Sequence, residues 1–274
     1  MSFFEEARVS EPEVKVPKKF YRYRSMKPEA QLSVERTLFH NELRLAPASG
    51  FNDPFDMRGV FTQGAAPEVQ REECLRLSRK FKPGLTEAQR KIEADEMMMS
   101  LSPDCIEAKT QLMQMMCNQL FTTTVGVLCL SETSEEILMW SHYGDCHQGI
   151  CLEFDGHFNL MAEAQQVRYE ESRPLIDIHV DSNDVVLQKH FLTKARQWEY
   201  EKEWRVIRDG GVGVVTFPPE MLTGIIIGAH ASRSTLETVV RWWRECPQPI
   251  KLYRASPSRT EFKLDIVPCP GISR

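Results

Sequence analysis

The sequence predicts an α+β fold on a mixed, largely antiparallel sheet core. Short strand candidates and helical segments interleave along the chain without the regular βαβ rhythm of a doubly wound sheet. One stretch, 67–120, is helical throughout by propensity and charge pattern, and reads as a helical subdomain inserted into that sheet. Over 274 positions, 42% hydrophobic and 27% charged residues are an ordinary globular composition, enough for a sizeable core. The expected layout is a loose polar arm at 1–18, then a single domain over 19–274 that contains the insertion.

Each element follows from its local pattern. Residues 20–24, Phe-Tyr-Arg-Tyr-Arg, alternate and are rich in aromatics, as a first strand requires. Residues 28–42 open on Pro28 and place Leu32, Leu38 and Phe39 among polar neighbours, the pattern of a helix. A second strand at 43–46 runs into 47–56, a loop dense in Pro, Gly, Asn and Asp. The insertion breaks near Pro83-Gly84 and at Pro103, and holds Met97, Met98, Met99, Met113, Met115 and Met116. These methionines fill the subdomain's own core or form an adaptable groove for a partner. A buried strand is expected at 122–130, a short helix at 135–142, strands at 148–154 and 167–169, and a helix at 183–194. Further strands are expected at 213–217, 224–228 and 250–253, with a helix at 232–244 capped by Ser232 or Ser234.

The net charge of −5 argues against a protein that coats nucleic acid, although a local basic cleft is compatible with it. The eight cysteines form no CxxC pair, and several sit in apolar runs. They read as small buried hydrophobes of a reducing cytoplasm, not as a disulfide framework. A charged start without an apolar leader, and no apolar run of membrane-spanning length, complete the expectation of a soluble cytoplasmic chain.

Three polar clusters carry chemistry. The first is the strand at 21–25, where Arg22 and Arg24 alternate with Tyr21 and Tyr23. It is a surface edge strand or a cradle in which arginine grips a phosphate and tyrosine stacks on a flat ring. The second is Ser131 at a strand end, followed by the helix with Trp140 and Tyr143 three residues apart on one face. Those rings pack the helix on the sheet or wall a pocket. The third is Trp-Glu-Tyr-Glu-Lys-Glu-Trp-Arg at 198–205. As a strand it would put Glu201, Glu203 and Arg205 on one face and Tyr200, Lys202, Trp204 and Val206 on the other. Glutamates about 6–7 Å apart along one face suit two carboxylates acting on one sugar. The same face could instead be a solvated ladder of ion pairs. His142, Cys146, His147 and Cys151 follow no zinc spacing, so no metal is expected. Residues 209–213 lack the lysine and helix of a phosphate loop, and no nucleophile elbow is present.

Taken together, these motifs resemble a widespread bacterial and phage family of domains without assigned activity. Its marks are the tyrosine/arginine first strand, the Phe-Asn-Asp-Pro-Phe-Asp loop at 51–56 and Met-Trp-Ser-His-Tyr-Gly at 139–144. A Gly-x-Cys-x-Glu-Phe strand at 149–154 and the stretch at 198–205 complete them. The resemblance covers roughly 20–210 apart from most of the insertion. The order of clusters is also similar to the ADP-ribosyltransferase fold, which has Arg or His on its first strand, Ser, Thr or Tyr in the middle, and Glu-x-Glu near the end. That likeness implies Arg24 or Arg22 in the first role, Ser131 or Tyr143 in the second, and Glu201 and Glu203 in the third. The family's Ser-Thr-Ser run is not matched, and a helix of ordinary sequence fills the space after the first strand.

What the likeness implies is an ADP-ribosyltransferase or NAD glycohydrolase with NAD as co-substrate and a protein or nucleic acid as acceptor, as in a toxin or anti-phage effector. Glu203 would be catalytic and Glu201 would orient the acceptor. Arg22, Arg24, Tyr23, Ser131, Trp140, Tyr143 and Arg205 would hold the nucleotide. The alternatives are a non-catalytic binding module whose Glu/Arg strand is an ion-pair network, and a nucleic-acid hydrolase using His142, Asp145 and His147.

Overall fold

The computed structural model describes residues 15–62, 67–99, 103–177, 180–269 and 271. The arm expected at 1–18 lies mostly outside them. Its last residues are packed: Val16 lies against the core, and the Lys18 carbonyl accepts from the Gly156 N–H.

In chain order the chain runs β1 (Lys19–Arg24), α1 (Pro28–His40), β2 (Glu42–Pro47), β3 (Val60–Thr62), then three helices, α2 (Pro67–Phe81), α3 (Glu87–Met99) and α4 (Pro103–Thr124). β4 (Gly126–Ser131), α5 (Ile137–His142), β5 (Ile150–Asp155), α6 (Asn159–Ala162), β6 (Gln165–Gln166), β7 (Arg168–Glu170) and β8 (Leu175–Asp177) follow. Then come α7 (Asn183–Phe191), β9 (Thr193–Ala195), a 3-10 turn (Arg196–Glu201), β10 (Glu203–Arg208), β11 (Gly213–Thr216), β12 (Leu222–Ile227), α8 (Arg233–Glu245), β13 (Lys251–Pro257) and β14 (Leu264–Pro268).

The sheet is ordered β11-β2-β4-β1-β5-β12-β13-β14, with β10 branching from β4 and β6 from β10. Its pairs are antiparallel except β12 with β13. The decisive feature is β4. One of its edges pairs with β10 from Gly126 to Ser131. The other is shared: β2 takes Gly126 and Val127, and β1 takes Ser131. β1 and β2 therefore leave the same edge at opposite ends, and the sheet forks.

Apolar side chains fill both faces. Leu128, Leu130, Leu152 and Ile225 point to a core covered by α1 and α8. Ser232 caps α8 by accepting from Thr235 N, and its Val239, Trp242 and Trp243, spaced three and four apart, face the sheet. A smaller cluster on the opposite face joins Tyr23, Met139, Trp140, Cys151 and Ile226 under α5.

Three expectations need correction. The strand expected at 122–130 begins at Gly126, because α4 continues through Thr124. The helix expected to 194 stops at Phe191, and Lys194 lies in β9. Among the described side chains the methionines do not form a buried core: Met97, Met99, Met115 and Met116 are exposed, Met98 is half-buried, and the described buried residues of α2 and α3 are Leu75, Arg90 and Ala94.

His190 on α7 is buried among Phe61, Phe121 and Phe191, and neither ring nitrogen has a hydrogen-bond partner among the described residues. Burial, with Arg58 nearby, lowers its pKa from 6.5 to about 4. The unfolded chain thus binds a proton between those values that the folded protein refuses, so stability falls as pH drops from 6.5 toward 4. His190→Leu is expected to remove up to about 3 kcal/mol of that acid-side loss, read as a flatter plot of unfolding free energy against pH in urea titrations.

Candidate functional site

A cavity of about 470 Å³ opens at the fork, within the range of small-ligand sites. β1 supplies Tyr21 to Arg24, β4 supplies Cys129 and Ser131, and α5 with its C-terminal cap supplies His142 and Tyr143. Phe51 and Asn52 from the loop after β2, Lys194 from β9, and Glu201 and Glu203 close it.

The stretch at 198–205 is not one strand. Residues up to Glu201 form the 3-10 turn, Lys202 turns through a left-handed conformation (φ 44°), and extended backbone starts at Glu203. Ser131 Oγ donates to the Glu201 carbonyl at 2.7 Å, so this hydroxyl anchors the turn. The charged residues are not solvated either. Glu201 and Glu203 are buried and Arg205 has no exposed surface.

Their partners explain how charge survives there. Arg205 holds Glu203 through two hydrogen bonds, Nε to Oε1 at 2.9 Å and Nη2 to Oε2 at 2.8 Å. It reaches Asp56 Oδ2 at 2.8 Å and the Phe191 carbonyl at 2.6 Å. Lys194 Nζ lies 2.5 Å from Glu201 Oε2, 3.2 Å from Glu203 Oε2 and 3.5 Å from Asp56 Oδ2. Tyr143 donates to Glu201 Oε1 at 2.7 Å, and Tyr169 Oη accepts from the Glu203 N–H at 2.8 Å. Three carboxylates thus meet two cations, which leaves one net negative charge beside the cavity.

The two glutamates differ electrostatically. Burial opposes ionisation of Glu203, but Arg205 and Lys194 outweigh it and bring its pKa from 4.5 to about 2. Burial is the largest influence on Glu201, and Glu203 adds to it. Together they leave its pKa above the ordinary value despite Lys194. For Lys194, burial disfavours the ammonium, yet Glu203, Asp56 and Glu201 hold its pKa above the usual lysine range.

The opposite wall is cationic. Arg22 and Arg24 are half-buried and have no acidic partner among the described residues. Arg22 Nη2 donates to the Arg44 carbonyl at 3.2 Å, and its Nη1 is buried without a partner. Burial lowers Arg24 to about 10; burial, then repulsion from Arg24, pulls Arg22 well below the usual guanidinium value. Burial disfavours both charges, and no acid among the described residues offsets it.

Not every expected residue joins the site. Trp140 is fully buried beneath α5, donates Nε1–H to the Ser134 carbonyl, and meets Tyr23 edge-on at 5.1 Å; it packs the helix and does not line the cavity. Arg205 sits behind Glu203, out of reach of a ligand. Tyr23 lines the cavity, with its hydroxyl donated to the Thr133 carbonyl. His142, Asp145 and His147 take separate partners in Tyr200, Lys27 and Ser141, so they form no common centre. Lys194 and Asp56 went unassigned in the sequence, because nothing in a three-residue strand or a turn-rich loop marks a residue whose partners lie elsewhere. The Asn-Asp-Pro-Phe-Asp spacing of the loop was the one available signal for Asp56.

Residues 139–206 match the family model described as Protein of unknown function (DUF2971). The matched stretch contains the last turn of α5, Lys194, Arg205 and both glutamates, and excludes Arg22, Arg24 and Asp56. The matched segment therefore supplies two of the three clustered carboxylates and both of their cations, and residues before it supply Asp56 and the two arginines of β1. No curated protein and no solved structure matches the chain.

Glu203→Gln is expected to cost about 3–5 kcal/mol of stability, because it strips a carboxylate from two buried cations. The depressed Glu203 pKa has its own signature. Its contribution is present above pH 4.5 and is lost as pH falls toward 2. Chemical denaturation of both proteins at neutral pH and at pH 3 measures both effects.

Proposed function

We propose that the cleft takes NAD as co-substrate and cleaves its nicotinamide–ribose bond, as an ADP-ribosyltransferase or NAD glycohydrolase does. The observation that carries this reading is the polarity of one cavity: two guanidiniums without acidic partners face a carboxylate cluster with one net negative charge. Arg22 and Arg24 suit a pyrophosphate, and Tyr21, Tyr23 and Phe51 offer rings for a flat base. Cleavage passes through an oxocarbenium-like ribose, and a fixed negative charge favours that state over the neutral sugar.

The geometry shifts the roles of the glutamates. Both oxygens of Glu203 are engaged by Arg205, so its part is to hold charge in place. Glu201 has no guanidinium on it and is held through single bonds by Tyr143 and Lys194 at the cavity wall, so it is the carboxylate assigned to the sugar. The acceptor would be a protein or nucleic acid, and an activity that drains NAD suits a toxin or anti-phage effector.

The closed Arg205–Glu203–Asp56 network also favours a second reading, a nucleotide-binding module in which these charges serve only stability. Nicotinamide release from NAD separates the two. Under the first reading Glu201→Gln still folds and binds NAD but slows release by about 100-fold or more. Arg24→Gln raises KM about tenfold, the worth of one charge-assisted contact. Saturable NAD binding with no release by the wild-type protein would establish the second reading.

A further inference from the structure

We infer that Lys194 is a positioning residue of this site: its ammonium fixes Glu201 at the cavity wall, as a carboxylate, beside Glu203. The inference rests on the reading of the cleft as an NAD-cleaving site and adds a requirement specific to this chain.

The three carboxylates around Lys194 Nζ are not equivalent. Arg205 also reaches Glu203 and Asp56, at 2.8 Å in each case. Among the described residues Glu201 has no second cation; its other partner is the neutral hydroxyl of Tyr143. Without Lys194, the network would keep Glu203 and Asp56 in place through Arg205. Glu201, with a side chain only 4% exposed, would be left next to a like charge. A buried carboxylate in that position takes up a proton. Protonated, it could no longer stabilise a cationic sugar.

The groups facing Glu201 are Lys194 of β9, Glu203 of β10, Tyr143 at the C-terminal cap of α5 and Tyr169 of β7, with Tyr200 on its own turn; Arg205 and Asp56 are linked to it through Glu203 and Lys194. Burial and the nearby carboxylates raise all three tyrosines, Tyr200 to about 12, so none changes charge between pH 4 and 9. Lys194 is itself held in place. Its stem lies in β9, paired with β7, and its ammonium sits 5.0 Å from the centre of the Trp198 ring.

The test follows the Glu201 carboxyl by NMR in protein labelled with 13C at the glutamate side-chain carboxyl, with the signal assigned by its loss in Glu201→Gln. Lys194→Met is expected to raise the Glu201 titration midpoint by about two pH units, and Lys194→Arg to leave it near the wild-type value. In parallel, the acid limb of nicotinamide release moves up by the same amount in Lys194→Met, and activity recovers above the new midpoint. An unchanged midpoint, or an equal loss of activity at every pH, overturns the inference. Absence of nicotinamide release by the wild-type protein overturns the NAD reading instead, and the NMR titration still decides the role of Lys194. If Lys194→Met does not fold, Lys194→Met/Glu201→Gln decides: the two charges leave together, so folding is expected to return. A double variant as unstable as the single one overturns the inference.

Discussion

Arg205 is a guanidinium without exposed surface, and much of the molecule is arranged around keeping it charged. It binds a carboxylate of its own strand, a carboxylate from the 51–56 loop and the carbonyl that ends α7. Removing one member of such a group strands the others in a low-dielectric interior. The loop, the end of α7 and β10 are thereby locked to one another, and α2, α3 and α4 lie between the first and the second of these in sequence. Lys194 extends the lock to the 3-10 turn that carries Glu201.

The fork in the sheet gives this network something to face. β4 is held along one edge by β10, which brings Glu203 and Arg205 to the same face as Ser131 and Cys129. On its other edge it is given up by β2 before β1 takes over, and the cavity sits between the departing strands. The arginines of β1 approach from one side and the carboxylates of the turn and β10 from the other. Opposite charges are thus separated by a cavity instead of cancelling in an ion pair.

Local pattern decided the elements that pack against the sheet. The amphipathic spacing of α8 and its Ser232 cap, the apolar run that became β4, and the aromatic alternation of β1 were all legible, because each depends on neighbours within a few residues. The break at Pro83-Gly84 fell between α2 and α3, and Pro103 opens α4, for the same reason. The stretch at 198–205 was legible only as unusual. Alternation gave it a strand through Glu201, whereas Lys202 turns through φ 44° and Ser131, seventy residues away, ties down the Glu201 carbonyl. The exposed methionines of α3 and α4 show the converse: composition suggested a core, and the fold left those side chains in solvent.

The sequence by itself determined the class of fold, the arginine–tyrosine strand, and the presence of two glutamates two residues apart with an arginine two further on. Those follow from periodicity, turn chemistry and residue type. Tertiary structure alone decided that Arg205 is a buried clamp and that Trp140 is core. It also decided that Lys194 and Asp56 share a centre with both glutamates. The reason is distance along the chain: Asp56 and Arg205 are 149 residues apart, and a buried charge reveals its partner only after the sheet has brought the two together.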